Sequence, residues 1–248
     1  MKYFIITGAS KGLGNGLAIE LLNPEHHLIC ISRSENQELK QMAAAKDSPL
    51  DFFLFDLSAT GEIPDLFEKI FKTLDTQKAT GIYLVNNAGV IQPVARAEDC
   101  SPEEVDHHMQ VNLIAPMLIS GAFIRHTQDL DIEKRILNIS SGAAHHPYYG
   151  WSNYSTGKAG LEMFGRCLSE EQKEEANPVK TMAVAPGIID TEMQTTIRGT
   201  SKRDFIHRDK FVSLKEEGQL VPPGLAGKKL ARLLLSDDFE DGKSIDIR

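Results

Sequence analysis

The segment Thr7–Gly14, TGASKGLG in one-letter code, decides the fold. It follows the apolar run Tyr3–Ile6, which predicts a strand, and it leads into the helix-like segment Gly14–Leu22. A strand, a glycine turn and a helix N-terminus in this order are typical of a dinucleotide site. Glycines let the backbone approach a pyrophosphate, and the N–H groups of the helix end attract its charge. The spacing is Gly-x-x-x-Gly-x-Gly rather than the commoner Gly-x-Gly-x-x-Gly, and a plain tight turn is the alternative.

Short apolar runs alternate with helix-like segments along the whole chain. This alternation predicts an α/β fold, a Rossmann-type doubly wound parallel sheet of about seven strands with helices on both faces. We find no repeat and no linker, so residues 1–248 are expected to form a single domain. The predicted strands are Tyr3–Ile6, Leu28–Ser32, Phe52–Phe55, Ile82–Val85, Arg135–Ile139, Thr181–Ala185 and Ser244–Ile247. The predicted helices are Gly14–Leu22, Glu35–Ala45, Ile63–Leu74, Pro102–His126, Tyr154–Glu175 and Gly224–Leu235.

Residues 188–218 interrupt this rhythm, since they follow a strand but carry mixed charge and weak periodicity. Insertions after the carboxyl end of a strand lie beside the ligand crevice of such a sheet. We therefore predict a mobile substrate lid at about 188–218, with an inert surface excursion as the alternative.

Composition excludes several classes of function. The net charge is −8 and no basic stripe is present, so nucleic acid is not an expected partner. No apolar stretch approaches the ~18 residues of a membrane span, and the apolar start Met1–Ile6 is too short for a secretory signal. The three cysteines, Cys30, Cys100 and Cys167, fit reduced thiols and a cytoplasmic location.

The end of the second predicted strand indicates the preferred nucleotide. NAD sites place an acid there to bind the ribose hydroxyls, whereas this chain has Ser32 and Arg33. A guanidinium suits phosphate, and Lys11 in the glycine turn supplies a second cation. The only acid nearby, Glu35, sits at a predicted helix start, where a carboxylate is favoured anyway. The pattern favours the 2′-phosphate of NADP(H).

Tyr154 and Lys158 form the candidate acid–base pair. Four residues apart on a helix, they lie on one face, and an adjacent ammonium is expected to lower the pKa of the phenol. Such a pair suits proton transfer at a carbonyl or alcohol oxygen. Ser141, at the end of the fifth strand, precedes Tyr154 by thirteen residues. Its neighbour Ser140 is the rival, but strand alternation places the two on opposite faces.

Taken together, these motifs resemble the short-chain dehydrogenase/reductase family over nearly the whole chain. The resemblance implies Asn112, Ser141, Tyr154 and Lys158 as a catalytic tetrad, with Asn112 supporting a water relay and Tyr154 as the proton donor. It implies that Asp56 contacts adenine, that Asn87 packs near the adenine ribose and that Ile189 and Thr191 hold the carboxamide. The implied cofactor site comprises Gly8, Ser10, Lys11, Gly12, Leu13, Gly14, Arg33, Ser34, Asp56, Leu57, Asn87, Ala88, Gly89, Tyr154, Lys158, Pro186, Gly187, Ile189 and Thr191.

Finer matches resemble one branch of this family, the sepiapterin reductases and the bacterial benzil reductases that form (S)-benzoin. They are residues 141–144, 147–152, 190–194, 211–215 and 241–246. The resemblance implies an NADPH-dependent reductase of vicinal dicarbonyl compounds, with a substrate pocket of Ser141, Tyr148, Trp151, Met193 and Asp246. Core packing is the alternative for the apolar residues, and a solvent-exposed carboxylate is the alternative for Asp246.

Two other functions stay open at this point. An alcohol dehydrogenase using NAD(P) would share the tetrad, and a non-catalytic NADP-sensing protein would share only the cofactor end. Adjacent His145 and His146 are not expected to bind metal, since neighbours rarely converge on one ion; pocket lining or solvent exposure is expected instead. The family resemblance also implies a homodimer through the helices Pro102–His126 and Tyr154–Glu175.

Overall fold

The computed structural model describes residues 1–248 and contains one seven-stranded sheet in which all pairs are parallel. The strand order is β3-β2-β1-β4-β5-β6-β7, with helices on both faces, which confirms the predicted Rossmann-type fold. The strands are β1 (Lys2–Thr7), β2 (His26–Ser32), β3 (Leu50–Leu54), β4 (Gly81–Asn86), β5 (Glu133–Ile139), β6 (Lys180–Ala185) and β7 (Ser244–Asp246).

Nine α-helices connect or follow these strands. They are α1 (Gly12–Leu21), α2 (Gln37–Ala45), α3 (Ile63–Thr73), α4 (Pro102–Met109), α5 (Ala115–Thr127), α6 (Ser152–Gln172), α7 (Glu192–Gly199), α8 (Arg208–Glu216) and α9 (Pro223–Leu235).

The alternation of side chains in each strand divides the core into two layers. In β1, Phe4 and Ile6 face the layer formed with α1, α2 and α9, whereas Ile5 faces the layer formed with α3, α5 and α6. All three side chains are fully buried, as expected for a parallel sheet covered on both faces. Helices α1 and α9 approach so closely that a Cβ on Gly227 would lie 2.3 Å from the Gly16 carbonyl carbon.

The long helix predicted at Pro102–His126 is wrong in one respect. A π turn at Gln110–Ile114 separates α4 from α5, and the Ala115 N–H bonds to the Gln110 carbonyl five residues earlier. Pro116 contributes to this break, since it has no N–H for the carbonyl of Asn112 four residues before it.

The segment 188–218 contains two helices, α7 and α8, despite its weak sequence periodicity. A bridge between Ile189 and Val221 closes its base. No helix of the chain is both long and apolar enough to cross a membrane.

Candidate active site

A cleft of about 1070 Å³ opens at the carboxyl ends of the strands. Strand β1 lies between β2 and β4, so the chain reverses its winding direction there, and such a switch point opens a crevice for ligands. Every residue that the sequence assigned to cofactor or substrate lines this cleft except Gly14, which is buried in α1. Of the tetrad, Ser141, Tyr154 and Lys158 line the cleft and Asn112 does not.

The glycine turn forms a cradle at one end of the cleft. Gly8 and Gly12 have φ of 69° and 58°, a region that favours glycine. A Cβ on Gly14 would lie 2.4 Å from both the Gly8 carbonyl oxygen and the Asn87 amide nitrogen. Because no side chain caps the N-terminus of α1, its first N–H groups stay available. This cradle fits the pyrophosphate of a dinucleotide.

Asn87 joins the loop after β4 to the glycine turn. Its side-chain amide donates to the carbonyl oxygens of Thr7 at 2.8 Å and Gly8 at 3.2 Å. The backbone N–H groups of Asn87 and Ala88 both donate to the Thr7 hydroxyl at 3.0 Å. Asn87 and Ala88 therefore fix the shape of the cradle.

The charged residues around the expected nucleotide end of the cleft differ in whether another side chain already pairs with them. Arg33 is exposed at the cleft, and the neighbouring Glu35 is engaged by Lys40 at 2.9 Å. Lys11 differs from the expectation, since its ammonium pairs with Glu192 at the start of α7. Asp56 accepts hydrogen bonds from the Ser58 N–H and hydroxyl, both at 2.9 Å, and these bonds lower its pKa.

Tyr154, Lys158 and Ser141 meet at the other end of the cleft. Tyr154 and Lys158 are buried on α6, and the Lys158 ammonium lies 5.8 Å from the Tyr154 ring centroid. Lys158 donates to the Ile139 carbonyl at 2.7 Å. The Ser141 oxygen accepts the Ala143 N–H at 3.2 Å, which leaves the Ser141 proton free to point elsewhere.

The pKa values of the pair differ from the sequence-based expectation. Burial raises the pKa of the Tyr154 phenol, against the opposing influence of the Ser141 hydroxyl. The pKa of Tyr154 is therefore not lowered as expected, because burial is the largest influence on it. Burial also lowers the pKa of Lys158 to about 8, while the negative charge of Glu162 opposes that shift.

Asn112 lies behind the cleft wall within the π turn, where its side chain fixes the loop after β4. Its carbonyl oxygen accepts the Val90 N–H at 2.8 Å, and its amide donates to the Val90 carbonyl at 2.7 Å. The amide also lies 2.7 Å from Nε2 of buried His108, whose Nδ1 lies 2.6 Å from the Gln92 carbonyl. Since a carbonyl only accepts, Nδ1 carries the proton and Nε2 accepts from Asn112.

An aromatic cluster forms the substrate wall. Trp151 is stacked on Phe205 at 4.9 Å between centroids and 8° between planes, and it meets the Tyr154 ring edge-on at 5.6 Å. Tyr148 contacts Trp151 at 4.9 Å, and Phe211 from α8 completes the cluster. Met193 packs against it partly buried. Segment 188–218 thus contributes to the wall beside Tyr154.

Asp246 lines the cleft but is already paired. Arg248 Nε lies 2.8 Å from the Asp246 carboxylate, and the backbone N–H of Arg248 donates to the same carboxylate at 3.0 Å. These contacts lower the pKa of Asp246. A ligand bound by Asp246 has to compete with Arg248.

His108, Glu162 and Arg248 also contact site residues, although no motif in the sequence indicated them. His108 precedes Asn112 by four residues and Glu162 follows Lys158 by four, the same spacing that identified Tyr154 with Lys158. Searching each tetrad residue for polar neighbours at that spacing would have found both. No group of three or more His, Cys, Asp or Glu side chains is arranged to hold a metal ion.

This fold and site define an oxidoreductase. The family model for short chain dehydrogenases matches residues 2–202, and the chain belongs to that family. Among curated relatives, it is 40% identical over 247 residues to a benzil reductase ((S)-benzoin forming) of Bacillus cereus, covering 100% of this chain and 99% of the relative. It is 31% identical over 254 residues to the sepiapterin reductase of Mus musculus, covering 98% and 95%. Among solved structures, that of the KRED1-Pglu enzyme superposes with a TM-score of 0.84 at 26% identity, covering 99% of this chain and 100% of the other.

Proposed function

We propose that the chain is an NADPH-dependent carbonyl reductase that delivers a hydride to one ketone of a vicinal dicarbonyl substrate, benzil-like or sepiapterin-like. The observation that carries the proposal is the buried Tyr154–Lys158 pair, which shares one cleft with a glycine cradle. The cradle suits a dinucleotide, and the pair suits proton transfer.

The chain's own residues favour the phosphorylated nucleotide. The cradle Gly8–Gly14 and the N-terminus of α1 would hold the pyrophosphate. Arg33 would hold the 2′-phosphate, because its guanidinium is exposed at the cleft and the nearby Glu35 is engaged by Lys40. Lys11 can join it after leaving Glu192. Pro186, Gly187, Ile189 and Thr191 also line the cleft, and they would hold the nicotinamide.

A reduced nicotinamide bound in this cleft would supply the hydride for the carbonyl carbon. Tyr154 releases its hydroxyl proton to the carbonyl oxygen, which becomes the product alcohol, and Tyr154 is left as a phenolate. The raised pKa keeps Tyr154 protonated, and so able to donate, at neutral pH. The Ser141 hydroxyl donates to the same carbonyl oxygen, and the Lys158 ammonium favours the phenolate that forms.

The relatives and the aromatic wall support the substrate class. Benzil carries a ketone next to a second carbonyl, sepiapterin carries a side-chain ketone next to a hydroxyl group, and the names of the relatives refer to these compounds. Tyr148 and Trp151 offer flat apolar surface beside Tyr154. Asp246 could accept paired hydrogen bonds from a pterin ring once Arg248 is displaced.

We further propose that segment 188–218 is a lid and that the enzyme is a homodimer. The lid helices supply Phe211 and Met193 to the wall, and the Lys11–Glu192 pair links the lid to the glycine turn. For the dimer, Met117 and Leu118 on α5 and Met163 on α6 are apolar side chains exposed by 39%, 41% and 52%.

The test is oxidation of NADPH and of NADH by the purified protein with benzil, sepiapterin and simple ketones. We expect turnover with benzil and sepiapterin and preference for NADPH. Tyr154→Phe should lower kcat by at least ~10²-fold, the scale of a lost general acid, while NADPH still binds. Turnover near that of the wild type in this variant would remove Tyr154 from the mechanism, and absence of turnover with every carbonyl compound would favour a non-catalytic nucleotide-binding protein.

A further inference from the structure

The buried carboxylate of Glu162 has no part in the chemistry above, although it lies next to it. Glu162 is 3% exposed and follows Lys158 on α6 by four residues, as Lys158 follows Tyr154. Residues four apart share one face of a helix. Tyr154, Lys158 and Glu162 therefore form one row along α6, with the carboxylate at the end away from the phenol.

Glu162 contacts both ends of the segment that contains Ser141. At one end, the Ser140 hydroxyl donates to Oε1 of Glu162. At the other end, His145 Nε2 lies 2.9 Å from Oε2. The turn Gly142–Ala144 lies between these contacts. One carboxylate thus ties the Ser141 segment to the helix that positions Tyr154 and Lys158.

The charges around Glu162 are few. The titratable groups that face it are His145 from the loop after β5 and Lys158 from its own helix. The next residues along each element, His146 and Arg166, are exposed and form no ion pair with it. The His145 side chain is 57% exposed, whereas Lys158 is buried. A buried carboxylate needs such partners to stay ionised.

We propose that Glu162 is a positioning residue whose carboxylate keeps Lys158 charged and holds the Ser141 segment against α6, with His145 as its solvent-facing partner. The inference rests on the proposed function, in which Lys158 acts as a cation beside Tyr154. Burial alone drives Lys158 toward the neutral amine, and a neutral Lys158 no longer favours the Tyr154 phenolate. The negative charge one turn away opposes that loss.

The first test is the pH profile of kcat for benzil reduction with NADPH. Glu162→Gln keeps the size and two polar atoms of the side chain but removes its charge. We expect the alkaline limb of the profile to move to lower pH by about one unit, the effect of removing a nearby opposite charge. Glu170→Gln is the matched control, because Glu170 lies exposed on the same helix and pairs with Lys173 at 2.6 Å. A limb that stays in place in Glu162→Gln would refute the charge role.

The second test separates the role of Glu162 in holding the Ser141 segment against α6 from the role of its charge. Glu162→Ala removes both contacts to the Ser141 segment, so its kcat at pH 6 should fall about tenfold below that of Glu162→Gln. The affinity for NADPH, measured by quenching of the fluorescence of Trp151, should change much less than kcat. Equal kcat in the Ala and Gln variants would refute the holding role. Should the Ala variant not fold, Ser140→Ala combined with His145→Ala removes the same contacts and is expected to give the same loss.

The third test does not depend on turnover. In protein labelled with [ε-¹³C]lysine, the Lys158 resonance is assigned by comparison with Lys158→Arg and followed against pH. It should titrate near pH 8 in the wild type and at lower pH in Glu162→Gln. Identical titration in the two proteins would refute the inference whatever the substrate is. A shifted titration in a protein that reduces no carbonyl compound would refute the proposed function alone.

Discussion

Replacement of His108 by leucine tests whether the polar network behind the cleft is as complete as the geometry shows. His108 is fully buried, donates to the Gln92 carbonyl and accepts from the Asn112 amide. Leucine is close in volume to the imidazole, so it leaves little cavity, but it removes one donor and one acceptor. The Gln92 carbonyl and one Asn112 N–H then lose their partners.

The magnitude follows from these two groups. A buried polar group left without a partner costs ~1–3 kcal/mol, so two groups cost ~2–6 kcal/mol. Burial of the apolar leucine side chain offsets part of this cost. We therefore expect the free energy of unfolding to fall by about 3 kcal/mol. For a chain of this length each kcal/mol lowers Tm by ~2–4 °C, so Tm should fall by about 6–12 °C.

Thermal unfolding followed by circular dichroism measures this change. His107→Leu is the control, since His107 precedes His108 on α4 and is exposed. It should leave Tm nearly unchanged. A His108→Leu protein as stable as the wild type would show that the imidazole does not bond to both Gln92 and Asn112.

The same imidazole predicts a pH dependence. Burial, and less strongly the Lys158 charge, lower the pKa of His108 below 6.5 in the folded protein. The unfolded chain therefore binds a proton at higher pH than the folded chain, and the wild type loses stability as pH falls below about 6.5. The contribution of neutral His108 to stability is fully present above about pH 6.5. It should be missing in His108→Leu and in His108→Gln, which retains a donor and an acceptor without titrating.

Three further predictions concern ligands and assembly. Arg33→Asp should weaken NADPH relative to NADH by about 2 kcal/mol, roughly thirtyfold in the ratio of their dissociation constants, and an unchanged ratio would mean that another residue contacts the 2′-phosphate. Asp246→Ala should raise KM for sepiapterin about tenfold with little effect on benzil, which has no donors to lose; equal losses on both would make Asp246 structural. Light scattering at micromolar concentration should give the mass of a dimer, and a monomer mass would contradict the interface proposed on α5 and α6.

Much of the fold was predictable because buried parallel strands and glycine turns leave strong local patterns. All seven strands lie where the apolar runs predicted them. Helix starts depend on side-chain bonds that composition does not reveal. Helix α2 begins at Gln37 rather than at Glu35, because the Asn36 side chain accepts the Leu39 N–H and caps it.

The composition of the cleft was likewise predictable, while the pairings within it were not. Lys11 pairs with Glu192 and Asp246 with Arg248, and each choice depends on how the loops after different strands meet. The pKa of Tyr154 was expected to fall because of Lys158, but sequence spacing carries no measure of burial, which decides the direction. His145, expected in the pocket or in solvent, is more than half exposed yet reaches the buried Glu162.

The π turn at Gln110–Ile114 makes the number of residues in this segment matter as well as the identity of Asn112. A π turn holds one residue more than an α-helix needs to join the same two ends. Deleting a residue between His108 and Asn112 would restore ordinary i−4 bonding between the same two ends, so α4 and α5 would keep their positions. Asn112 would instead turn by about 100° around the helix axis relative to His108 and would no longer meet it. We therefore expect members of this family to retain both Asn112 and the number of residues at 110–114, and an alignment gap at this point would mark a member with a rebuilt cleft wall.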